Sequence, residues 1–233
     1  MKKIIITFAL FFGVLSGTSV FSAEMPKITL GLSGHAGMLS ATGHESLRSE
    51  TGTLSSQGIK TKSEDMFVGY GSMFAEIYID ERFRIGVDYN PSNLESETTE
   101  SVQGSLSTAQ GGTGEADRTQ KVQVDISDLT TGYFSLHHDT GVFFKAGLVT
   151  ADVITNESLE SGSKYANAKL KGYVVGIGYE RALAGDGIFI RGEVNQTQFE
   201  KIALDATGSE NKNHILIDSI SGTNGVISIG KNF

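Results

Sequence analysis

The chain has 233 residues with 19 basic and 27 acidic side chains, which gives a formal net charge of −8 at pH 7. This acidic balance argues against a nucleic-acid-binding protein, because phosphates need lysine and arginine partners. Cysteine is absent, so the fold depends on no disulfide. The length is sufficient for one domain with a sizeable core.

The first 23 residues have the pattern of a secretory signal peptide. Lys2 and Lys3 precede an apolar stretch over 4–15, and small residues lead to Ala23. The apolar stretch is short for a membrane anchor, which needs roughly 20 residues. We therefore predict export, cleavage after Ala23 and a single mature domain over 24–233.

After the signal peptide, apolar residues recur at every second position, which predicts strands with one apolar face. In the first segment, for example, Leu30 and Leu32 alternate with Thr29 and Ser33. No segment is an uninterrupted apolar run long enough for a spanning helix, but the strands of a barrel need apolar residues on one face alone. The predicted strands cover 27–39, 66–79, 82–89, 121–137, 142–153, 169–182, 188–199 and 214–233.

The connections between these segments alternate in length. The long ones cover 42–65, 90–118, 154–168 and 201–213, and the short ones cover 80–82, 138–141 and 184–187. A membrane barrel has long outer loops and short periplasmic turns, whereas a sandwich has no reason for this asymmetry. We therefore predict an all-β fold: an eight-stranded antiparallel transmembrane β-barrel with four long outer loops and three short periplasmic turns. Ten strands are the alternative, if 90–118 forms its own hairpin.

The polar face of each strand is predicted to line the lumen. A barrel of eight strands is just wide enough for side chains to fill it, and buried charges are tolerable only when they are paired. In the fourth segment, this assignment directs Asp125 inward and Val122, Val124 and Ile126 toward lipid. The expected lumen network consists of Glu76, Arg84, Asp88, Asp125, Lys145, Glu180, Arg191 and Glu193.

With the signal peptide, the alternating strands and the loop asymmetry, the terminal "ISIGKNF" makes the chain resemble small outer-membrane β-barrels of Gram-negative bacteria, the OmpA-like, OmpW-like and opacity-protein group. The resemblance covers the whole mature chain. In those families the last strand ends in Phe after alternating apolar residues, and Ile227, Ile229 and Phe233 match that pattern; Lys231 departs from it. The resemblance implies location in the cell outer membrane, recognition of this strand by the barrel assembly machinery, and a monomer among outer-membrane lipids.

Candidate catalytic and metal-binding residues are few. His137 and His138 are adjacent on a strand, so their rings point to opposite faces and do not share a metal. Ser135 and His137 lie two apart on one face, as in lipid A deacylase barrels, but at the periplasmic end, away from the ester of the lipid. The S-x-x-K spacing at 161–164 falls in a polar loop rather than on a buried helix. We predict no enzyme, no metal and no cofactor.

Two outer regions are candidates for interactions. The loop over 91–118 is acidic and rich in Gly, Ser and Thr, as expected of a solvated loop, and a weak calcium or adhesion site is the alternative. Lys164, Lys169 and Lys171 lie at the outer end of the sixth strand, where lipopolysaccharide phosphates are within reach.

Three functions remain open from the sequence. The first is a structural or surface-interaction barrel whose lumen is filled by paired charges. The second is a narrow porin-like passive channel for small solutes. The third is a lipid-modifying barrel enzyme. The charged interior favours the first, because pairing across a tight lumen blocks flow.

Overall fold

The computed structural model describes residues 27–48, 54–95, 99–103, 118–158, 164–183, 187–207 and 213–233. The predicted signal peptide lies outside the described residues. In the described part of the chain, no helix is long and apolar enough to cross a membrane. The strands are β1 (Ile28–Arg48), β2 (Leu54–Tyr78), β3 (Phe83–Tyr89), β4 (Leu94–Glu95), β5 (Thr99–Gln103), β6 (Arg118–His137), β7 (Val142–Ser158), β8 (Ala168–Ala182), β9 (Ile188–Phe199), β10 (Ile202–Asp205) and β11 (His214–Asn232).

The strands form one closed antiparallel ring. Neighbours follow the order β1-β2-β3-β6-β7-β8-β9-β11, and β11 pairs with β1 to close it. Short strands extend two of these positions: β4 and β5 pair with β6 beyond β3, and β10 pairs with β11 beyond β9. The ring therefore has eight strand positions, which confirms the eight-stranded barrel. The third position is extended outward, and no ninth and tenth strands are added to the described ring.

The connections at one end of the ring are tight, as the sequence predicts. Asp80 accepts hydrogen bonds from the backbone N–H groups of Arg82 and Phe83, both at 2.7 Å, which fixes the turn between β2 and β3. In the turn between β6 and β7, Gly141 has φ 91°, a conformation that costs glycine little.

At the other end, the strands reach further than the sequence indicated. The β1–β2 ladder continues to the pair Arg48 and Leu54, so much of the predicted loop over 42–65 is strand. These residues are polar on both faces, so apolar alternation could not reveal them. The β2–β3 ladder, in contrast, covers only Met73 to Tyr78 of β2. Among the described residues, the outer part of β2 has no hydrogen-bonded neighbour on that side.

The outside of the ring carries a belt of exposed apolar side chains. On β8, Tyr173, Val175, Ile177 and Tyr179 are each about half exposed. Lys171 lies at one end of this row and Arg181 at the other. From one charge to the other the strand runs roughly 33 Å, which strand tilt reduces to about the 25 Å height of the apolar band of an outer-membrane barrel.

One predicted facing is wrong because β6 contains a bulge. Asp128 has φ 53°, and the pairing with β7 shifts between Ser127 and Thr130. The extra residue reverses the facing of the outer part of the strand. Ile126, predicted to face lipid, is 9% exposed and packs inside the ring.

Candidate functional site

Arg191 lies at the centre of the lumen and is 2% exposed. Its Nη1 and Nη2 donate to the two carboxylate oxygens of Glu76 at 2.7 and 2.9 Å. Nη2 and Nε also donate to Oε2 of Glu180 at 2.7 and 3.1 Å. The guanidinium thus joins β2 and β8 to β9, in the two-pronged geometry that makes arginine–carboxylate pairs strong and directional.

Arg84 completes this network from β3. Its Nη1 and Nη2 donate to Glu180 at 2.8 and 2.9 Å, and Nη1 reaches Glu76 at 3.4 Å. The hydroxyl of Tyr133 donates to Glu76 at 2.9 Å. Two arginines and two glutamates therefore form a charge-balanced cluster, called here the plug, that extends across the lumen between β2–β3 and β8–β9.

Aromatic rings pack around the plug. The rings of Phe74, Phe143 and Phe189 lie 5.1–5.2 Å from the Arg191 guanidinium carbon, close enough for cation–π attraction. Each ring lies directly across the ladder from a glycine, and a Cβ at that glycine would collide with it; the pairs are Gly31 with Phe74, Gly178 with Phe143, and Gly230 with Phe189. Sequence reasoning missed these phenylalanines, although an inward aromatic opposite an inward glycine was a usable signal.

A second polar group lies next to the plug on the outer side. Lys145 and Glu193 form a close ion pair. Asn224 Nδ2 lies 3.1 Å from His35 Nδ1, and His35 Nε2 lies 2.8 Å from Ser72 Oγ. Ser72 in turn donates to Asp88 at 2.9 Å. Since His35 Nδ1 accepts from Asn224, the imidazole proton is on Nε2 and is donated to Ser72.

Further outward, the lumen is apolar, which the sequence interpretation did not anticipate. A cluster of buried side chains fills this part; it consists of Ile126, Ala151, Leu170, Ile202 and Ile220. Between this cluster and the polar groups lies a cavity of about 90 Å³, called here the chamber. The signal for this cluster was hidden, because the bulge at Asp128 disguised Ile126, and Ile202 falls within a predicted loop.

The structure brings together seven of the eight predicted lumen charges and leaves out Asp125. Val153, the cross-strand partner of Ile126, packs on the interior cluster. Asp125, next to Ile126 and paired with Ile154, therefore lies on the outer face of the sheet. The bulge at Asp128 is the cause, since a one-residue insertion inverts the facing of every residue beyond it.

Ser135 and His137, the candidate pair at the inner end, are hydrogen-bonded with Oγ and Nε2 3.0 Å apart. Both are buried, and the ring of His137 stacks on Phe143 at 4.8 Å. His138 is exposed and bonds locally to Thr140. Among the described residues, no group of three His, Cys, Asp or Glu side chains could hold a metal ion.

The remaining predicted residues lie on the outside. Ile227 and Ile229 are 68% and 52% exposed on β11, and Phe233, which directly follows β11, is 66% exposed. Lys164, Lys169 and Lys171 are exposed at the outer end of β8 and just before it. Lys169 is partly neutralised, because its Nζ donates to Asp152 at 2.5 Å.

A closed ring with an apolar belt outside and ion pairs inside is a transmembrane β-barrel of the outer-membrane type. No family model and no curated protein matches the chain.

The solved proteins to which the chain is similar in structure include the following three. The first is the outer membrane protein OprG of Pseudomonas aeruginosa (10% identity, 89% of this chain and 96% of that chain covered, TM-score 0.49). The second is the outer membrane protease OmpT of Escherichia coli (11%, 93% and 99%, 0.41). The third is Ail, the attachment invasion locus protein of Yersinia pestis (8%, 86% and 99%, 0.39).

Proposed function

We propose that this outer-membrane barrel has a structural or surface-interaction role and does not conduct solutes. The plug is the observation that carries the proposal. Arg191 and Glu76 are 2% and 0% exposed at their side chains, and their bonds link strands from two sides of the lumen. A passing solute would have to separate charges that are already desolvated and paired, which costs several kcal/mol (roughly 3–5).

Single-channel recording in planar bilayers tests this function. The wild type is expected to show no stable conductance, whereas Arg84→Ala, which removes one arm of the plug, raises the frequency of current steps. Arg82→Ala is the matched control, because Arg82 is exposed in the β2–β3 turn and, among the described residues, its guanidinium pairs only with Asp139 at 3.6 Å. Stable open-channel current from the wild type would favour the porin-like alternative.

The proposal includes the absence of enzymatic activity. In the Ser72–His35 pair the imidazole donates to the hydroxyl, so it is not placed to remove the hydroxyl proton as a general base would. Ser135 is 1% exposed, beyond the reach of a lipid ester. Mass spectrometry of lipid A from cells with and without the protein is expected to be identical. A shortened lipid A that disappears in Ser135→Ala or Ser72→Ala would contradict this.

Lipopolysaccharide is the proposed partner at the outer rim. Among the described residues, no carboxylate lies within ion-pair distance of Lys164 or Lys171, whereas Lys169 is held by Asp152. Charges near the membrane interface cost about 0–1 kcal/mol on the lipid face, so phosphate contacts offset them readily. Replacing Lys164, Lys169 and Lys171 by Gln is expected to reduce the thermal stabilisation that lipopolysaccharide gives over plain phospholipid vesicles.

Lys201→Gln, an exposed lysine between β9 and β10, is the control for this experiment. Equal stabilisation of the wild type and the triple variant would leave the lysines as ordinary surface charges. Restoring Lys169 alone is expected to recover less of the effect than restoring Lys171.

We further propose that the barrel is a monomer and that the assembly machinery recognises β11 through Ile227, Ile229 and Phe233. All three side chains project outward from the closing strand, where a receptor can contact them before the ring closes. Phe233→Ala is expected to lower the amount of heat-modifiable barrel in the outer membrane. Ile177→Ala, an outward residue of β8, is the control and should leave that amount unchanged.

A further inference from the structure

The chamber has an apolar wall and a polar floor. Leu170, Val174 and Ile126 contribute to its wall. His35, Asp88, Asn195 and Lys145 contribute to its floor, and Lys145 is paired with Glu193. Its volume of about 90 Å³ is several times the roughly 10–15 Å³ that one water requires. A mostly apolar pocket with a few convergent polar groups is the usual form of a small-molecule site.

Among the residues that the structure describes, the charges that line the lumen do not cancel. Each of the three bases is bonded to a glutamate: Arg191 and Arg84 to Glu76 and Glu180, and Lys145 to Glu193. The fourth carboxylate, Asp88, is in excess. In the described part of the chain, no lysine or arginine lies within ion-pair distance of Asp88, whose contacts are Ser72 at 2.9 Å and His35 at 4.0 Å.

A second acceptor of the floor also lacks a donor. Asn195 is 4% exposed, and its Oδ1 has no hydrogen-bond partner among the described residues. Its Nδ2 is engaged with Glu193 at 3.4 Å. Two nearby donors are used elsewhere, since Ser72 donates to Asp88 and Asn224 Nδ2 donates to His35 Nδ1. A buried acceptor without a donor is costly, so the floor offers one negative charge and one free acceptor.

We propose that the chamber binds a small molecule with a protonated amine and a short apolar or aromatic body. The amine lies against Asp88 and Asn195 and supplies the positive charge and the N–H donors that the floor lacks. The apolar body packs against Leu170 and Val174. This site goes beyond the proposed function and does not depend on it, because the plug closes the lumen on the inner side of the chamber whether or not the chamber is filled.

Three probes of nearly the same size separate the chemistry: benzylamine, benzyl alcohol and benzoate. Each is titrated into the full barrel in phospholipid nanodiscs, and binding is followed by chemical-shift changes of His35 and of the Asn195 and Asn224 side-chain amides. Benzylamine is expected to bind roughly tenfold or more tightly than benzyl alcohol, because hydrogen bonds to a charged group are the stronger ones. Benzoate is expected to bind most weakly.

Two variants locate the site. Asp88→Asn is expected to abolish the preference for benzylamine over benzyl alcohol, and Leu170→Trp, which fills the chamber, is expected to abolish binding of both. Asp152→Asn, the same change on the outer face, is the control and keeps the wild-type preference. If Asp88→Asn fails to fold, Asn195→Leu removes the second acceptor and is expected to weaken benzylamine alone.

Several outcomes overturn the proposal. Binding of benzoate as tight as that of benzylamine would mean that Lys145 and not Asp88 determines the ligand. Equal binding of all three would mean a purely apolar pocket. No shift of the floor amides at saturating benzylamine would mean that the chamber binds no amine.

Discussion

The inner and outer halves of the lumen are filled by opposite chemistry. At the level of the lipid-facing belt, the interior holds Arg191 with its glutamates. Beyond the belt, where Asp152 and Lys169 form an exposed ion pair on the outside, the interior holds the Ile220 cluster. The inner half is polar inside and apolar outside, as in a membrane barrel. The outer half is apolar inside and polar outside, as in a soluble barrel.

This difference indicates that the medium outside the barrel determines which side chains the strands direct into the lumen. Next to lipid, an apolar side chain gains no free energy by pointing inward. The lumen therefore contains polar groups that hydrogen-bond and pair with one another. Next to water, burial of apolar side chains stabilises again. The bulge at Asp128 lies between the two halves and reverses the facing of β6, so one strand contributes inward side chains of the right polarity to each half.

The largest expected loss of stability comes from a substitution in the inner half of the lumen. Arg191→Ala leaves the buried carboxylates of Glu76 and Glu180 without their main partner and is expected to lower the free energy of unfolding by about 3–5 kcal/mol. Urea unfolding in phospholipid vesicles, followed by circular dichroism, measures this. The double variant Arg191→Ala with Glu76→Gln should recover part of the loss; a double variant no more stable than the single one would mean that packing, and not charge, is responsible.

The next effect tests whether the outer half is a packed core. Ile220 is 5% exposed in the interior cluster, so Ile220→Ala is expected to cost about 2–5 kcal/mol through lost burial and a residual cavity. Ile177→Ala makes the same change on the lipid face, where no cavity forms. Comparable losses for both variants under the same unfolding conditions would contradict a core in the outer half.

A smaller effect is expected at the junction of the two halves. Asp128 has φ 53° and accepts a hydrogen bond from Tyr89 at 3.0 Å. Asp128→Val forces a β-branched side chain into the left-handed region and is expected to cost about 1–2 kcal/mol. Asp128→Gly loses the same hydrogen bond but relieves the backbone, so it should be the more stable of the two by thermal unfolding. The reverse order would mean that the bulge is not needed.

The smallest effect is expected outside the belt. The pair Lys169–Asp152 is 68% and 40% exposed, and exposed pairs contribute less than about 1 kcal/mol. Lys169→Gln is expected to change the unfolding midpoint slightly in low salt and not at all in high salt, because salt screens exposed charges. A decrease of the unfolding midpoint that persists in high salt would mean that this pair is shielded from solvent.

The sequence predicted the ring, its facing over the belt and the four charged residues of the plug, because period-two alternation is strong where lipid meets one face and charges meet the other. It could not predict which charges bond to which, since Arg84 and Glu180 lie on strands far apart in the chain. It failed for Asp125 and Ile126, because the single-residue bulge at Asp128 is not visible as a change of pattern. The chamber was missed because the bulge disguised Ile126, and because Ile202, in the adjoining apolar cluster, falls within a predicted loop.

The outer part of β2 has a strand edge that no described residue pairs with, and such an edge is normally a template for aggregation. The run over 59–65 carries four charges along this edge, Lys60, Lys62, Glu64 and Asp65. Lys62 and Glu64 are joined at 2.6 Å and are about two-thirds exposed. An in-register parallel pairing with the same edge of a second copy would bring like charges together and remove their hydration. The charged run thus protects a long exposed strand from joining with its neighbours in a crowded membrane.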